Sequence, residues 1–192
     1  MATTLEREAA WWGTCGNTFH EEQKQLVYAR RLGLVADWTV GHPPVFSVDG
    51  KRIADIGGGP VSLLLKVPDH SNSVVVDPCP YPRWVTERYR ACGIRFVRKR
   101  GEDDWRGRYD EAWIYNVLQH VDDPEKVIAN ARARASVVRL FEWINVDPYP
   151  GHPHRLDKGH LDEWLDGVGF TSALNEAGAV GEAYYGVFKN RT

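Results

Sequence analysis

From about residue 51, short apolar runs alternate with amphipathic segments along the chain. Five of the runs have the length and the β-branched or aromatic content of buried strands. They cover residues 52–56, 73–77, 94–98, 111–115 and 136–143. The segments between them predict helices over residues 61–67, 82–92 and 124–135. Strands that alternate with helices in this way indicate a parallel sheet with helices on both faces.

The C-terminal segment departs from this alternation. Residues 162–168 have a helical pattern, but residues 171–174 and 184–188 read as two further strands joined by a hairpin. The predicted fold class is therefore α/β, with a mostly parallel seven-stranded sheet, helices on both faces and an antiparallel C-terminal edge strand.

The N-terminal segment has no strand pattern. Thr18 followed by Glu21 is a capping-box pattern, which predicts a helix from about Phe19 that ends near Gly33. A proline pair at positions 43–44 separates this helix from the first strand. We expect the N-terminal segment to cover the core as part of the same domain.

Composition fits this picture of one globular domain. The chain has 192 residues, of which 43% are hydrophobic and 26% are charged. We expect residues 1–50 to form a helical cap or lid and residues 51–192 to form the core. No apolar run approaches the roughly 20 residues of a membrane helix, and the first residues lack the order of a secretory signal. Three cysteines without a CxxC pair favour a reducing, cytoplasmic location.

The formal net charge of −2 conceals a basic strip. Nine basic and four acidic residues lie between positions 83 and 108. Such a strip attracts phosphate, so a phosphorylated or RNA ligand stays open as an alternative. The acidic remainder of the chain disfavours a dedicated nucleic-acid partner.

Three glycines, Gly57–Gly59, follow the first strand of the core, where they let the backbone pass close to a ligand. Asp77 ends the next strand, 22 residues after Asp55, where its carboxylate can accept both hydrogen bonds of a ribose diol. Glu102 and Asp103 follow the third strand, where an acid can accept from an adenine amino group. These features describe an adenosine pocket at the switch point of the sheet.

With these residues, the chain resembles the class I S-adenosylmethionine-dependent methyltransferases, in particular the small domains of the ubiquinone and menaquinone type. The resemblance covers roughly residues 50–190 and implies a Rossmann-like fold. It rests on the order and spacing of Asp55–Gly59, Val74–Pro78, Gly101–Asp103, Tyr109–Asp110, Tyr115–Pro124, His154–Leu156, Leu161–Leu165 and Gly169–Phe170. The family's usual third glycine is replaced by Val61, which departs from its pattern.

The resemblance implies S-adenosylmethionine as the cofactor and S-adenosylhomocysteine as the product. Asp55 would orient the glycine turn and the amino-acid end of the cofactor, Gly57 and Gly59 would border the methionine moiety, and Asn116 would lie near the methyl group. The implied cofactor-binding set is Asp55, Gly57, Gly58, Gly59, Asp77, Pro78, Glu102, Asp103, Asn116 and Val117.

The same glycine turn is compatible with two other classes of protein. A dinucleotide reductase would show GxGxxG with a longer following helix and a parallel sixth strand, which this sequence lacks. A non-catalytic cofactor-binding or scaffold protein of the same fold stays open, because class I methyltransferases share no obligatory catalytic side chain.

The acceptor is less well defined by the sequence. Three histidines in loops after strands, His120, His152 and His154, are the candidate general bases for a hydroxyl or amine acceptor. We expect no metal site, because the sequence has no helical HxxxH pattern and the prolines between the loop histidines do not create a coordination geometry. Candidate substrate contacts are Trp12, His20, Tyr115 and Tyr149.

The sequence after the fourth strand also restricts the class of acceptor. Asn116–Gln119 does not match the Asn-Pro-Pro-Tyr-like signature of DNA and protein amino-methyltransferases. We therefore expect a small-molecule or saccharide-type acceptor rather than a nucleic acid, and no membrane insertion. A phosphorylated or RNA acceptor stays open as the alternative. The sequence does not indicate an oligomeric state.

Overall fold

The computed structural model describes residues 3–12, 15–37 and 45–190. The helices are α1 (Thr4–Trp11), α2 (Cys15–Arg31), α3 (Arg83–Ala91), α4 (Pro124–Arg134) and α5 (Lys158–Leu165), with a short 3₁₀ helix at Leu63–Lys66. The strands are β1 (Ala36–Asp37), β2 (Val45–Phe46), β3 (Ile53–Ile56), β4 (Val74–Val76), β5 (Arg95–Val97), β6 (Tyr109–Tyr115), β7 (Ala135–Trp143), β8 (Phe170–Glu176) and β9 (Ala179–Lys189).

Seven strands form the main sheet in the order β5-β4-β3-β6-β7-β9-β8. The first five strands of this order pair in parallel. β9 is antiparallel to both β7 and β8, so the antiparallel pairing lies at the C-terminal edge with β8 as the outermost strand. This confirms the predicted fold class. The short strands β1 and β2, which were not predicted, form a separate antiparallel pair.

The order of strands creates a switch point beside β3. From β3 the chain continues outward to β4 and β5, and it then returns to the other side of β3 as β6. The carboxyl ends of β3 and β6 therefore lie side by side while their connections leave in opposite directions, which opens a crevice between them. Gly57 follows β3 at this crevice and Asn116 follows β6.

Apolar side chains fill both faces of the sheet. On β4, Val74 and Val76 pack on the face that α4 and α5 cover, whereas Val75 packs on the face that α2 and α3 cover. This alternation follows from the two-residue period of a strand. Because both faces are covered, the central strands are near-continuous apolar runs in the sequence.

Two predicted helices differ from the helices of the structure. The helix expected over Val61–Val67 is only the 3₁₀ turn Leu63–Lys66, because the hydroxyls of two tyrosines accept the N–H groups of Ser62 and Leu63 and hold the segment against the core. The final helix begins earlier than expected, at Lys158, where the Asp157 side chain accepts from the N–H of His160.

The predicted capping box of α2 is wrong. α2 begins at Cys15, so Thr18 and Glu21 lie inside the helix. Thr and Glu three residues apart face the same side of a helix at any point along it, so the pattern alone does not mark its start. A capping box occurs instead at the start of α1, where Thr3 and Glu6 exchange hydrogen bonds. Among the described residues, no helix is long and apolar enough to cross a membrane.

Candidate active site

A cavity of about 740 Å³ lies at the carboxyl ends of β3, β4, β6 and β7. Its floor is formed by the loops that follow these strands, including Gly57, Asp77 and Asn116. Helix α1 and the first turns of α2 cover it, with Trp12 and Glu21 among the lining residues. The cavity therefore occupies the crevice at which the sequence predicts a cofactor.

The glycine turn is held from behind by Asp55. The Asp55 carboxylate is fully buried, and its Oδ2 accepts hydrogen bonds from the Ser62 hydroxyl and, at 2.6 Å, from the Tyr115 hydroxyl. A Cβ at Gly58 would lie 2.6 Å from this oxygen, so the turn packs directly on the carboxylate. Gly57 has a φ of 71°, and a Cβ there would lie 2.5 Å from a methyl group of Val117. The turn thus requires glycine for its close approaches.

Burial raises the pKa of Asp55 to about 7, although the two hydroxyl donors oppose this rise. Asp55 does not line the cavity, and its Oδ1 is buried without a hydrogen-bond partner. The carboxylate can therefore shape the turn but does not itself reach a ligand in the cavity. Tyr115, predicted as a substrate contact, does not line this cavity. It is buried behind the turn, where its hydroxyl donates to Asp55 and accepts from the N–H of Leu63.

Asp77 lines the cavity at the end of β4. Its Oδ2 accepts from the N–H of Gly59 at 3.1 Å, and its Oδ1 accepts from the N–H of Cys79 at 2.9 Å. Burial raises its pKa to about 6, against the lowering effect of these two N–H donors. Because each carboxylate oxygen can accept more than one hydrogen bond, both oxygens keep capacity for a diol. Pro78 lines the cavity beside it.

The two acids after β5 lie in different places. Glu102 lines the cavity, and its Oε1 accepts from the N–H of Asp122 at 2.9 Å. Asp103 is exposed and does not line the cavity, because its carboxylate turns back to the N–H of Arg100 at 3.0 Å. The structure thus separates two neighbours that the sequence treated alike.

Beyond β6, Asn116 and Val117 both line the cavity. Asn116 has a left-handed φ of 57°. The N–H groups of Val117 and Leu118 both donate to Oε1 of Glu142, at 2.9 and 3.0 Å. Glu142 is fully buried on β7, and burial raises its pKa to about 7. Glu142 was not among the predicted site residues. A carboxylate within a largely apolar strand was the signal that could have identified it, because such a group needs hydrogen-bond donors from a neighbouring loop.

His120 lines the cavity beside helix α1. Its Nδ1 lies 3.0 Å from the carbonyl oxygen of Gly151 and 3.2 Å from Oε1 of Glu8. Burial alone would lower the pKa of His120, but the hydrogen bond and charge of Glu8 outweigh burial and raise it. The other oxygen of Glu8 accepts from Nε1 of Trp12 at 3.1 Å. Glu8 is a second residue that the sequence analysis missed, since it contacts a histidine more than a hundred residues away.

The two later histidines have different surroundings. The His152 ring lies 4.2 Å from that of His120 and 4.0 Å from that of Tyr149, and all three line the cavity. Burial and the neighbouring His120 lower the pKa of His152 to about 4. His154 does not line the cavity, and its Nε2 lies 2.8 Å from the carbonyl oxygen of Val121. The structure therefore brings two of the three predicted histidines to the site.

Residues from distant elements complete the opposite wall. His20 lines the cavity near the β8–β9 turn, since a Cβ at Gly178 would lie 3.3 Å from its ring. Trp143 at the end of β7 packs against Gly181 and was not predicted as a site residue. Among residues 3–12, 15–37 and 45–190, no group of three or more His, Cys, Asp or Glu side chains could hold a metal ion.

Comparisons with solved structures identify the fold that surrounds this cavity. No family model and no curated protein sequence matches the chain. Among solved structures, the N-methyltransferase NodS from Bradyrhizobium japonicum, in complex with S-adenosylhomocysteine, is similar over 100% of both chains, with a TM-score of 0.68 and 11% identity. Magnesium protoporphyrin IX methyltransferase from Synechocystis, also with S-adenosylhomocysteine, is similar over 98% of this chain and 89% of its own, with a TM-score of 0.62 and 12% identity.

A third similar structure is the 1,6-didemethyltoxoflavin N1-methyltransferase from Burkholderia thailandensis, with its acceptor and S-adenosylhomocysteine bound. The match covers 90% of this chain and 78% of that one, with a TM-score of 0.58 and 14% identity. The chain therefore has the class I methyltransferase fold that the sequence predicts.

Proposed function

We propose that this protein is an S-adenosylmethionine-dependent methyltransferase that acts on a hydroxyl or amine of a small molecule. The observation that carries the proposal is the arrangement of the glycine turn and Asp77 around one cavity at the switch point. Class I structures of the same fold hold S-adenosylhomocysteine.

The residues around the cavity fit this cofactor. Gly57 and Gly59 present backbone without side chains, and a Cβ at Gly59 would meet nothing closer than 3.9 Å. Asp77 offers a carboxylate to the ribose diol, and Glu102 offers an acceptor for an adenine amino group. When bound, the cofactor supplies an electrophilic methyl group, so positioning of the acceptor atom accounts for much of the rate.

Among the predicted general bases, His120 has the most suitable surroundings. Its Nδ1 faces Gly151 and Glu8, which fixes the ring and leaves Nε2 for the proton of an acceptor. Although burial opposes it, the hydrogen bond and charge of Glu8 raise the pKa of His120, which strengthens this imidazole as a proton acceptor. His152 borders the same space and contributes to orientation through its ring contact with His120.

The aromatic part of the cavity lining favours an acceptor that is a small molecule with a flat apolar part. Trp12, Trp143 and Tyr149 line it together with the aliphatic Val180. Aromatic side chains provide stacking surfaces for planar rings and for the apolar faces of sugars. We therefore retain a saccharide-type acceptor as the alternative to an aromatic one.

The experiment is calorimetric titration with S-adenosylmethionine and S-adenosylhomocysteine, using wild type and Asp77→Asn. Loss of hydrogen bonds to a charged group costs about 1.5–3 kcal/mol, so the affinity is expected to fall by about 10- to 150-fold. Asp103→Asn is the matched control, because its carboxylate lies outside the cavity, and it is expected to bind as wild type does.

Absence of binding by folded wild type, or equal losses in both variants, would contradict the proposal. Formation of S-adenosylhomocysteine in the presence of small hydroxyl and amine acceptors then separates an enzyme from a cofactor-binding scaffold protein. A phosphorylated or RNA acceptor, suggested by the basic strip, belongs in the same acceptor panel.

A further inference from the structure

Two charged side chains of helix α2 line the cavity side by side. Glu21 and Lys24 are three residues apart and therefore share one face of the helix. Their side chains are 12% and 23% exposed, and Nζ of Lys24 lies 3.7 Å from Oε2 of Glu21. At this distance the two groups attract each other without forming a close hydrogen bond. Each charge thus keeps capacity for a ligand.

The position of this helix face relative to the glycine turn is fixed by Gln25. Its Nε2 donates to the carbonyl oxygen of Val61, just after the turn, and its Oε1 accepts from Nζ of Lys66 at 3.0 Å. Gln25 lies one helical turn after Glu21. A small recess of about 30 Å³ is lined by Glu21 and Gln25 from α2, by residues 57–61 and by Asn116. Glu21 therefore lies over the glycine turn.

The electrostatic environment of Glu21 favours a bound cation. Burial raises the pKa of this carboxyl, while Lys24, and more weakly His120 and His20, oppose the rise. A buried carboxylate with a distant ion pair gains from a cation that approaches to hydrogen-bond distance. Lys24 can in the same way donate to an anion, because its Nζ lies 3.7 Å from Oε2 of Glu21, beyond the distance of a close hydrogen bond.

We propose that Glu21 and Lys24 bind the amino-acid end of the cofactor, with Glu21 accepting from its α-ammonium group and Lys24 donating to its α-carboxylate. This assignment rests on the proposed function. S-Adenosylmethionine has a nucleoside end and a zwitterionic amino-acid end. Asp77 would bind the nucleoside on the β4 side of the turn. Glu21 lies over the turn on the side of Asn116, and Lys24 lines the larger cavity beside Glu21.

The test compares ligands that differ only in this end of the molecule. S-Adenosylhomocysteine carries both charged groups, its decarboxylated form keeps the amine, and methylthioadenosine lacks both. Each is titrated calorimetrically into wild type, Glu21→Gln and Lys24→Met. Glu22→Gln is the matched control, because Glu22 is the adjacent carboxylate on α2, pairs with Lys66 and does not line the cavity.

Glu21→Gln is expected to weaken binding of S-adenosylhomocysteine and of its decarboxylated form by about tenfold or more. It should leave methylthioadenosine binding unchanged, which also shows that the variant is folded. Lys24→Met is expected to weaken S-adenosylhomocysteine and to spare the decarboxylated form. Glu22→Gln should bind all three ligands as wild type does.

Equal losses for S-adenosylhomocysteine and methylthioadenosine in Glu21→Gln would overturn the assignment, since they would indicate a structural role. Unchanged S-adenosylhomocysteine binding in that variant would overturn it too, while leaving the proposed function intact. Failure of wild type to bind S-adenosylhomocysteine would overturn the proposed function and the assignment with it.

Discussion

Replacing Tyr115 by Phe removes a hydroxyl that makes two hydrogen bonds behind the glycine turn. This hydroxyl donates to Oδ2 of Asp55 at 2.6 Å and accepts from the N–H of Leu63 at 3.0 Å. Both partners are fully buried, and water cannot replace the hydroxyl there without a cavity. We therefore expect Tyr115→Phe to destabilise the protein and to loosen the glycine turn that lines the cavity.

The magnitude depends on the charge of Asp55. With a pKa of about 7, Asp55 is ionised at pH 8 and protonated in the folded state at pH 5. A lost bond to the ionised form costs about 1.5–3 kcal/mol, a lost bond to the neutral form about 0.5–1.5, and the unpaired N–H about 1–3. From the middle of these ranges, we expect a total of about 4 kcal/mol at pH 8 and about 3 kcal/mol at pH 5. For a chain of this size, 1 kcal/mol changes Tm by about 2–4 °C.

Thermal unfolding of wild type, Tyr115→Phe and Tyr109→Phe at the two pH values provides the assay. Tyr109 is the matched control, because its hydroxyl contacts the exposed residues Arg95 and Arg106, whose polar groups water can satisfy. Its loss should cost about 1 kcal/mol or less at either pH. The reasoning is refuted if the two variants lose equal stability, or if the cost of Tyr115→Phe is larger at pH 5 than at pH 8.

Two further predictions concern the loops beside Asn116. Glu8→Gln removes the group that raises the pKa of His120 against burial, so this pKa should fall; an unchanged NMR titration of the His120 ring would show that Glu8 does not act on it. Glu142→Gln keeps an acceptor for the N–H groups of the loop but removes a carboxyl whose pKa burial raises to about 7. Such a carboxyl binds its proton more tightly in the folded state, so wild type loses stability as pH rises from about 5 to 8. Relative to wild type, the variant should therefore gain about 2–3 kcal/mol over this range, and a gain independent of pH in urea unfolding would contradict this.

Much of the fold could be read from local pattern. Apolar runs indicate the five parallel strands, because strands covered on both faces are near-continuously apolar. The glycine turn is also visible in the sequence, as three consecutive glycines after a strand. The contacts that require glycine there are with Asp55, three residues from Gly58, and with Val117, sixty residues from Gly57. The position of Asp77 at a strand end follows from the same pattern.

The sequence alone therefore determined the order of strands and helices from β3 onward, the edge of the sheet that holds the cavity and the glycine backbone that lines it. Tertiary structure decided which side chains face the cavity. It turned Glu102 inward and Asp103 outward, placed the Tyr115 hydroxyl behind the turn, and brought Glu8 to His120 and Glu21 over the glycines. The physical reason is that a side chain's direction depends on where its helix or loop begins and on contacts with segments far away in the chain, and neither is set by the neighbouring residues.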